Sequence, residues 1–265
     1  MSVRIVITSG KGGVGKTTTT ASIGVGLAQR GYKVVAMDID TGLRNLDLLL
    51  GLENRIMYDL IDVTRDKDPI PYKKALVRHR KYETLFLLPT SQVQNKDAIK
   101  PDKVEKLCNE MDKEFDYILL DSPAGIEEGF KTAIKPAQRA IIVTTPEITA
   151  VRDADKVIGE LGREGIEDIK LIVTRLRPKM IEEGDMFDMR DINDLLAIEC
   201  IGQIPEDEAV IKATNRGEPV ITMEDSMAGK AYKNVIGRLF GEQIPFYKPP
   251  KDSFFTRLKK LFGML

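Results

Sequence analysis

Residues 10–17 read GKGGVGKT and follow the apolar run RIVIT at residues 4–8; more than any other stretch, they determine the expected architecture. They match the phosphate-binding pattern G-x-x-x-x-G-K-[ST], called a P-loop. Glycines allow positive φ angles and bring backbone N–H groups close to phosphates, and the following helix offers its N-terminus as a second anion site. The pattern therefore predicts a bound nucleotide. The predicted contacts are Gly10, Lys11, Gly12, Gly13, Val14, Gly15, Lys16, Thr17 and Thr18.

Carboxylates follow two other apolar runs. The run KVVAMD (33–38) ends in Asp38, with Asp40 two residues further on, and YILLD (117–121) ends in Asp121. Lys16 is expected to neutralise phosphate charge, and an aspartate beside a phosphate site holds Mg²⁺ or orients the attacking water. Turn chemistry is the alternative for the first two aspartates, and helix capping for the third. The predicted Mg²⁺ ligands are Thr17 and Asp121, and Asp38 and Asp40 could each hold the ion or orient the water.

Short β-branched runs alternate with longer amphipathic stretches along the chain. Runs that are apolar on both faces and separated by helices predict a doubly wound α/β fold with a mainly parallel sheet. We expect one nucleotide-binding domain over 1–245, a linker over 246–253 and a separate segment over 254–265. The expected strands are 4–8, 33–38, 84–89, 117–121, 140–145, 170–174 and 199–205, and the expected helices are 16–30, 101–114, 148–163, 206–215 and 228–241.

The composition is that of an ordinary globular protein, with 42% hydrophobic and 31% charged residues. The formal net charge of -1 argues against a strongly basic nucleic-acid binder. No apolar run reaches the roughly 18 residues that a membrane-spanning helix needs. Cys108 and Cys200 lie far apart and without metal-type spacing, which predicts reduced thiols and a cytoplasmic protein.

The last residues, SFFTRLKKLFGML (253–265), have a different character from the rest. Their apolar residues recur at helical spacing, and basic residues occupy the flank and opposite face. Residues 248–265 carry five basic residues and one acid, +4, against -5 for the other 247 residues. This pattern predicts an interfacial helix on an anionic membrane surface, and packing on the domain or on a partner is the alternative. The predicted membrane residues are Phe254, Phe255, Leu258, Leu261, Phe262 and Leu265.

Several motifs together resemble the MinD/ParA family of P-loop ATPases. They are KGGVGKT (11–17), DIDTGLRNLD (38–47), DSPAG (121–125), VRDAD (151–155), IPED (204–207), GEPV (217–220) and AGKAY (228–232), and the tail resembles a membrane-targeting sequence of the same family. The resemblance implies hydrolysis of ATP with Mg²⁺. It also implies that Lys11, which on spacing alone reads as a surface lysine, reaches across a homodimer to the partner's nucleotide.

The resemblance assigns further roles to individual residues. Asp40 would orient the lytic water beside Asp38 at the metal. Arg175, Pro205 and Asp207 would contact adenine and ribose, which favours ATP over GTP. The implied switch and dimer residues are Asn45, Ser122, Pro123, Ala124, Gly125 and Asp153.

The function implied by this resemblance is membrane cycling. ATP binding would cause dimerisation and tail insertion, and hydrolysis would release the protein from the inner face of the cell membrane. The family further implies a role in division-site placement, with a MinE-like activator and a MinC-like inhibitor or other cargo as partners. A ParA-like ATPase acting on DNA is the alternative, although net charge and tail argue against it. An iron-cluster electron carrier is less suited, because no cysteine lies in 121–130.

Overall fold

The computed structural model describes residues 1–41, 44–91 and 99–246. An eight-stranded sheet with the order β3-β4-β2-β5-β1-β6-β7-β8 lies at its centre. The strands run parallel to one another except β3, which is antiparallel to β4. They are β1 (Val3–Thr8), β2 (Val34–Asp38), β3 (Val77–Arg78), β4 (Leu85–Leu88), β5 (Tyr117–Asp121), β6 (Arg139–Thr144), β7 (Asp168–Leu176) and β8 (Glu199–Pro205).

Helices connect the strands and cover both faces of the sheet. They are α1 (Lys16–Gln29), α2 (Leu46–Leu49), α3 (Leu60–Thr64), α4 (Tyr72–Ala75), α5 (Pro101–Met111), α6 (Glu128–Ile134), α7 (Ile148–Arg163), α8 (Pro178–Glu183), α9 (Met189–Leu196), α10 (Ala209–Asn215) and α11 (Met227–Leu239). Short 3₁₀ turns lie at Glu53–Arg55 and Val220–Thr222. The prediction of a doubly wound, mainly parallel α/β fold is confirmed.

The predicted elements agree closely with the observed ones. All seven predicted strands are present, and β3 at the edge is an addition. The helix predicted over 101–114 ends at Met111, and the one predicted over 206–215 begins at Ala209. That later start has a local cause, because the Asp207 carboxylate accepts the N–H of Ala209 and closes a turn ahead of the helix.

Alternate side chains of each strand enter opposite cores, as a sheet buried on both faces requires. On β1, Ile5 and Ile7 join the core beneath α1 and α11, while Val6 joins the core beneath α5, α6 and α7. Cys108 is buried in the second core and Cys200 lies on β8, and both are free thiols, as predicted.

The contact between α1 and α11 is unusually close. A Cβ atom on Gly26 would lie 2.4 Å from Ile236 Cγ1, so only glycine allows the two helices to approach this far. Thr19 and Tyr232 share a buried hydrogen bond of 2.9 Å between the same helices. Burial raises the pKa of Tyr232 to about 12, so its hydroxyl stays protonated. The first helix is thus held in place by the last.

An ion pair joins the start of β1 to the end of α5. Arg4 Nε donates to Asp112 Oδ1 at 3.1 Å, and the Arg4 NH2 group donates to Asn109 Oδ1 at 2.7 Å. Burial raises the pKa of Asp112, but hydrogen bonds from Arg4 and Ser2 outweigh that effect and leave it below its ordinary value. This end of the sheet therefore carries a compensated buried ion pair.

The predicted membrane residues 254–265 lie outside the described residues, as does most of the predicted linker. Phe246, the first residue of that linker, still contacts the domain through Arg238. Among the helices that are described, none has the length and hydropathy needed to cross a bilayer.

Candidate nucleotide-binding site

The loop between β1 and α1 adopts the backbone that its glycines permit. Gly13 and Gly15 have φ values of 76° and 94°, in the left-handed region that favours glycine. Gly15 caps α1, and no side chain occupies the helix start. The first N–H groups of α1 therefore remain available, together with the positive end of the helix dipole, for an anion.

The loop packs against two other segments, α7 and the end of β7. A Cβ atom on Gly10 would lie 2.4 Å from the backbone carbon of Asp153, so glycine is required for α7 to pack here. Thr174 Oγ1, at the end of β7, donates to the Val14 carbonyl at 2.6 Å. The predicted dimer residue Asp153 thus contacts the loop through its backbone, and its side chain pairs with Lys156 at 3.1 Å.

Two carboxylates meet at the floor of the site. Asp38 and Asp121 are register partners on β2 and β5, and each is 1% exposed. Lys16 Nζ lies 3.8 Å from Asp121 Oδ1, which also accepts from Thr20 Oγ1 at 2.9 Å. Burial, reinforced by the charge of Asp121, raises the pKa of Asp38 well above its ordinary value.

These residues fit a magnesium ion. Asp38 Oδ2 is buried without a hydrogen-bond partner, while Oδ1 accepts from the Asp40 N–H at 3.0 Å. A cation beside two adjacent carboxylates relieves their repulsion and satisfies that oxygen. Thr17, in the first turn of α1, supplies the third predicted ligand. No cluster of three or more His, Cys, Asp or Glu side chains that could hold a metal is present in the described part of the chain.

A cavity of about 740 Å³ opens above this floor. It brings together most of the predicted nucleotide and switch residues. Those that line it are Gly12, Gly13, Gly15, Lys16, Thr17, Thr18, Asp40, Asn45, Pro123, Ala124 and Arg175. Gly125 turns the chain beside it with φ 89° and donates its N–H to the Ser9 carbonyl at 2.9 Å. The Ser122 hydroxyl faces inward and donates to the Pro123 carbonyl at 2.9 Å.

Of the three residues predicted to contact adenine and ribose, one lines the cavity and two do not. Arg175 lines the cavity and holds a left-handed φ of 54°, a strained conformation for a residue other than glycine. Pro205 ends β8 and does not line the cavity. Asp207 accepts hydrogen bonds from Ser226 Oγ at 2.7 Å and from the Ala228 N–H at 3.1 Å, so its carboxylate is committed to joining α10 and α11.

Several cavity residues have no signal in the sequence. They are Ser9, Leu48, Leu49, Glu127, Glu128, Gly129 and Thr214, and Thr41 lies within the motif at 38–47 without a predicted role. Leu48 and Leu49 belong to the four-residue helix α2, and Thr214 comes from α10 at the far end of the chain. Only the folded sheet order brings these residues to one edge.

Lys11 projects away from the phosphate loop of its own chain. Its Nζ atom lies 3.2 Å from Glu147 Oε2 at the start of α7, and the two side chains are 47% and 53% exposed. Glu147 also lines a second cavity of about 420 Å³ with Ile148, Arg175 and Arg177. The lysine therefore has a partner within the chain but remains accessible to another molecule.

A P-loop at the carboxyl ends of a parallel sheet, with a buried lysine and two carboxylates at its floor, defines a P-loop nucleoside triphosphatase. The ParA family model, described as "NUBPL iron-transfer P-loop NTPase", matches residues 1–240. The chain belongs to the MinD/ParA family of P-loop ATPases, which act with Mg²⁺.

Individual relatives agree along almost the whole chain. The septum site-determining protein MinD of Synechocystis is 54% identical over 243 residues, 91% of each chain. MinD of Bacillus subtilis is 44% identical and covers 100% of this chain and 99% of its own. Among solved structures, the MinC:MinD cell division protein complex of Aquifex aeolicus has a TM-score of 0.86 at 46% identity, covering 93% and 99% of the two chains. MinD of Pyrococcus horikoshii, complexed with Mg-ADP, has a TM-score of 0.81 at 28% identity, covering 90% and 96%.

Proposed function

We propose that this protein is a division-site placement ATPase that dimerises when it binds ATP and then attaches to the inner face of the cell membrane through residues 254–265. The observation that carries the proposal is Lys11, a loop lysine with an exposed amine beside a complete P-loop. The relatives named MinD and the Aquifex MinC:MinD complex support the biological setting.

The chemistry assigned to the cavity follows from its residues. Lys16 binds the β- and γ-phosphates from the floor, where Asp121 holds its amine. Thr17, Asp38 and Asp121 would hold Mg²⁺, which would neutralise charge on the phosphate oxygens. Asp40 lines the cavity wall and orients the attacking water. Pro123 and Ala124, opposite the loop glycines, sense whether the terminal phosphate is present.

Dimerisation would cover an apolar rim around the nucleotide opening. Leu48, which lines the main cavity, is 46% exposed, and Ile148, beside Glu147, is 52% exposed. Ile126 follows Gly125 and is 43% exposed. Apolar side chains gathered around a charged opening are typical of an interaction surface. A second copy docked on this rim would bring its Lys11 to the nucleotide.

Membrane attachment depends on having two tails. A twelve-residue helix is only about 18 Å long and is marginal in water. Each buried large apolar side chain contributes on the order of 1.5–3 kcal/mol, against an ordering cost of roughly 1 kcal/mol or more per residue. One tail therefore binds weakly, while two tails on one dimer gain about 10²–10⁴-fold in avidity. In this way ATP controls residence on the membrane.

A MinC-like division inhibitor is the proposed cargo. The Aquifex complex pairs MinC with a MinD that is 46% identical to this chain. A MinE-like activator is the proposed trigger of hydrolysis.

Co-sedimentation with anionic vesicles tests the proposal. The full-length protein should pellet with a nonhydrolysable ATP analogue and stay in solution with ADP. Lys11→Ala and deletion of 254–265 should each abolish pelleting, and Lys67→Ala, at an exposed position, is the control for charge loss. The two arms separate the causes, because only the lysine variant should also fail to dimerise in light scattering without lipid. Equal pelleting of the tail-deleted and full-length proteins would exclude the membrane role.

A further inference from the structure

The edge strand β8 contains an irregularity near its start. Leu171 pairs with Cys200 and Ile172 pairs with Gly202, so Ile201 is an extra residue in the ladder. Such a bulge leaves a backbone group without its ladder partner. Arg238, on α11, meets this need by donating from NH1 to the Ile201 carbonyl at 2.8 Å.

The same guanidinium holds the chain that follows α11. Arg238 Nε donates to the Ile244 carbonyl at 3.0 Å, and its NH2 group donates to the Pro245 carbonyl at 2.9 Å. Its carbon also lies 3.9 Å from the ring centroid of Phe246, a cation–π contact. One side chain therefore contacts three carbonyls and an aromatic ring. A lysine ammonium lacks the planar array of donors that these contacts need.

Two glycines and an ion pair prepare the segment for this contact. Gly241 turns the chain with φ 79°, and a Cβ atom on Gly237 would lie 2.2 Å from Ile244 Cδ1, so glycine leaves room for the returning chain. Arg30 pairs with Glu242 at 2.7 Å and fixes the segment to α1. Residues 242–246 are thus docked on the domain up to the point where the predicted linker begins.

We propose that Arg238 is a positioning residue that fixes where the C-terminal tail leaves the domain; this rests on the proposed membrane function. The exit clamp, consisting of Gly237, Arg238 and residues 242–246, lies by the first half of β8. The nucleotide cavity lies at the opposite, carboxyl ends of the strands. The clamp holds residues 242–246 at the end of the sheet opposite the cavity, and residues 247–253 separate it from Phe254.

The clamp changes the effective concentration of the second tail. Seven residues, 247–253, separate the clamp from Phe254, and release of residues 242–246 raises that number to twelve. Effective concentration falls roughly as the −3/2 power of the number of residues in the tether, so the change from seven to twelve residues weakens two-tailed binding about twofold. A single tail is unaffected.

The test compares vesicle affinities of Arg238→Met and Arg238→Lys with the wild type, using the full chain, a nonhydrolysable ATP analogue and phosphatidylglycerol–phosphatidylcholine vesicles. Lys233→Met, at an exposed position on the same helix, is the matched control. Both Arg238 variants should bind about twofold more weakly and should be cut sooner by chymotrypsin at Phe246. The control should match the wild type, and ATPase activity without lipid should be unchanged in all four proteins. Five Gly/Ser residues inserted after residue 247 of the wild type should reproduce the weaker binding without the added cleavage.

Two results would overturn the inference. One is equal vesicle affinity of the wild type and both Arg238 variants while tail deletion abolishes binding. The other is a loss of ATPase activity in proportion to the loss of affinity, which assigns Arg238 to domain stability alone. Vesicle binding that survives tail deletion would instead reject the proposed membrane function, so the two failures are distinguishable.

Discussion

Buried charged groups are arranged in opposite ways at the two ends of strand β1. At the start, Arg4 and Asp112 form a compensated pair with further hydrogen bonds from Ser2 and to Asn109. Where β1 leads into the phosphate loop, Asp38 and Asp121 lie side by side, with Lys16 3.8 Å from one of them. The first arrangement stabilises the fold, and the second destabilises it until a cation binds. Stability and function are therefore separated along the strand.

Among the variants that test this comparison, Asp40→Ala, in the nucleotide cavity, should have the largest effect. Loss of the residue that orients the lytic water should lower kcat about 10²-fold or more, while unfolding by urea stays within about 0.5 kcal/mol of the wild type. Steady-state phosphate release and urea denaturation measure the two effects. Asp194→Ala, at an exposed position on α9, is the control and should leave both unchanged. An unaltered kcat would remove Asp40 from the mechanism.

Arg4→Met tests the ion pair at the start of β1. It leaves the Asp112 carboxylate, 13% exposed, without its cation, and breaking such a pair costs about 3 kcal/mol of unfolding free energy. Activity per folded molecule should not change. Urea denaturation with ATPase assays below the transition measures both, and Arg163→Met, which breaks the exposed pair with Glu160, should cost under about 0.5 kcal/mol. A loss of kcat in the folded Arg4 variant would mean that the two ends are coupled.

Asp38→Asn sharpens the contrast because it should stabilise the nucleotide-free protein. The raised pKa means that the folded state keeps a proton that the unfolded state loses above its ordinary pKa near 4. The free energy of unfolding of the wild type therefore falls as the pH rises from the ordinary pKa towards the raised pKa of Asp38. The variant escapes this loss and should gain about 0.5–2 kcal/mol at neutral pH and little near pH 4.5. With saturating Mg-ATP the order should reverse, because ligand binding stabilises the wild type.

Urea midpoints at the two pH values, with and without nucleotide, check that prediction. Asp194→Asn is the matched control. A variant less stable than the wild type at neutral pH without nucleotide would contradict the idea that the carboxylate pair stores destabilising energy.

Glu147→Gln should have the smallest effect. The pair with Lys11 is half exposed and worth about 0.2–1 kcal/mol. Its removal frees the lysine for a second copy, so ATP-dependent dimerisation should strengthen by up to about fivefold. Sedimentation with a nonhydrolysable analogue measures this, with Glu160→Gln on the same helix as control. Weaker dimerisation would mean that Glu147 acts between copies rather than within one.

The sequence signal for the phosphate site is local. The pattern at 10–17 requires only a strand before it and a helix after it, and both are visible as runs of apolar residues. The strand ends place the Asp38 and Asp121 carboxylates beside the phosphate site, the resemblance assigns Asp38 to the metal, and the adjacency of the two follows from the parallel register.

The remaining features depend on tertiary structure. The strand β3 is two residues long, too short for any periodic pattern. Leu48 and Thr214 meet at the cavity only because α2 and α10 pack together, and Lys11 and Glu147 are 136 positions apart. The bulge at Ile201, on which the exit clamp depends, leaves no mark on composition or spacing.

The glycine that lets α11 approach α1 has a consequence for biosynthesis. The helix α1 holds four threonines and two glycines among fourteen residues, a composition with weak intrinsic helix propensity. It therefore depends on docking, and its partner α11 is made more than 190 residues later. A nascent chain on the ribosome carries the phosphate-binding residues early but cannot hold them in place until its last helix has emerged. Translation thus delays the appearance of a working nucleotide site until the domain is complete.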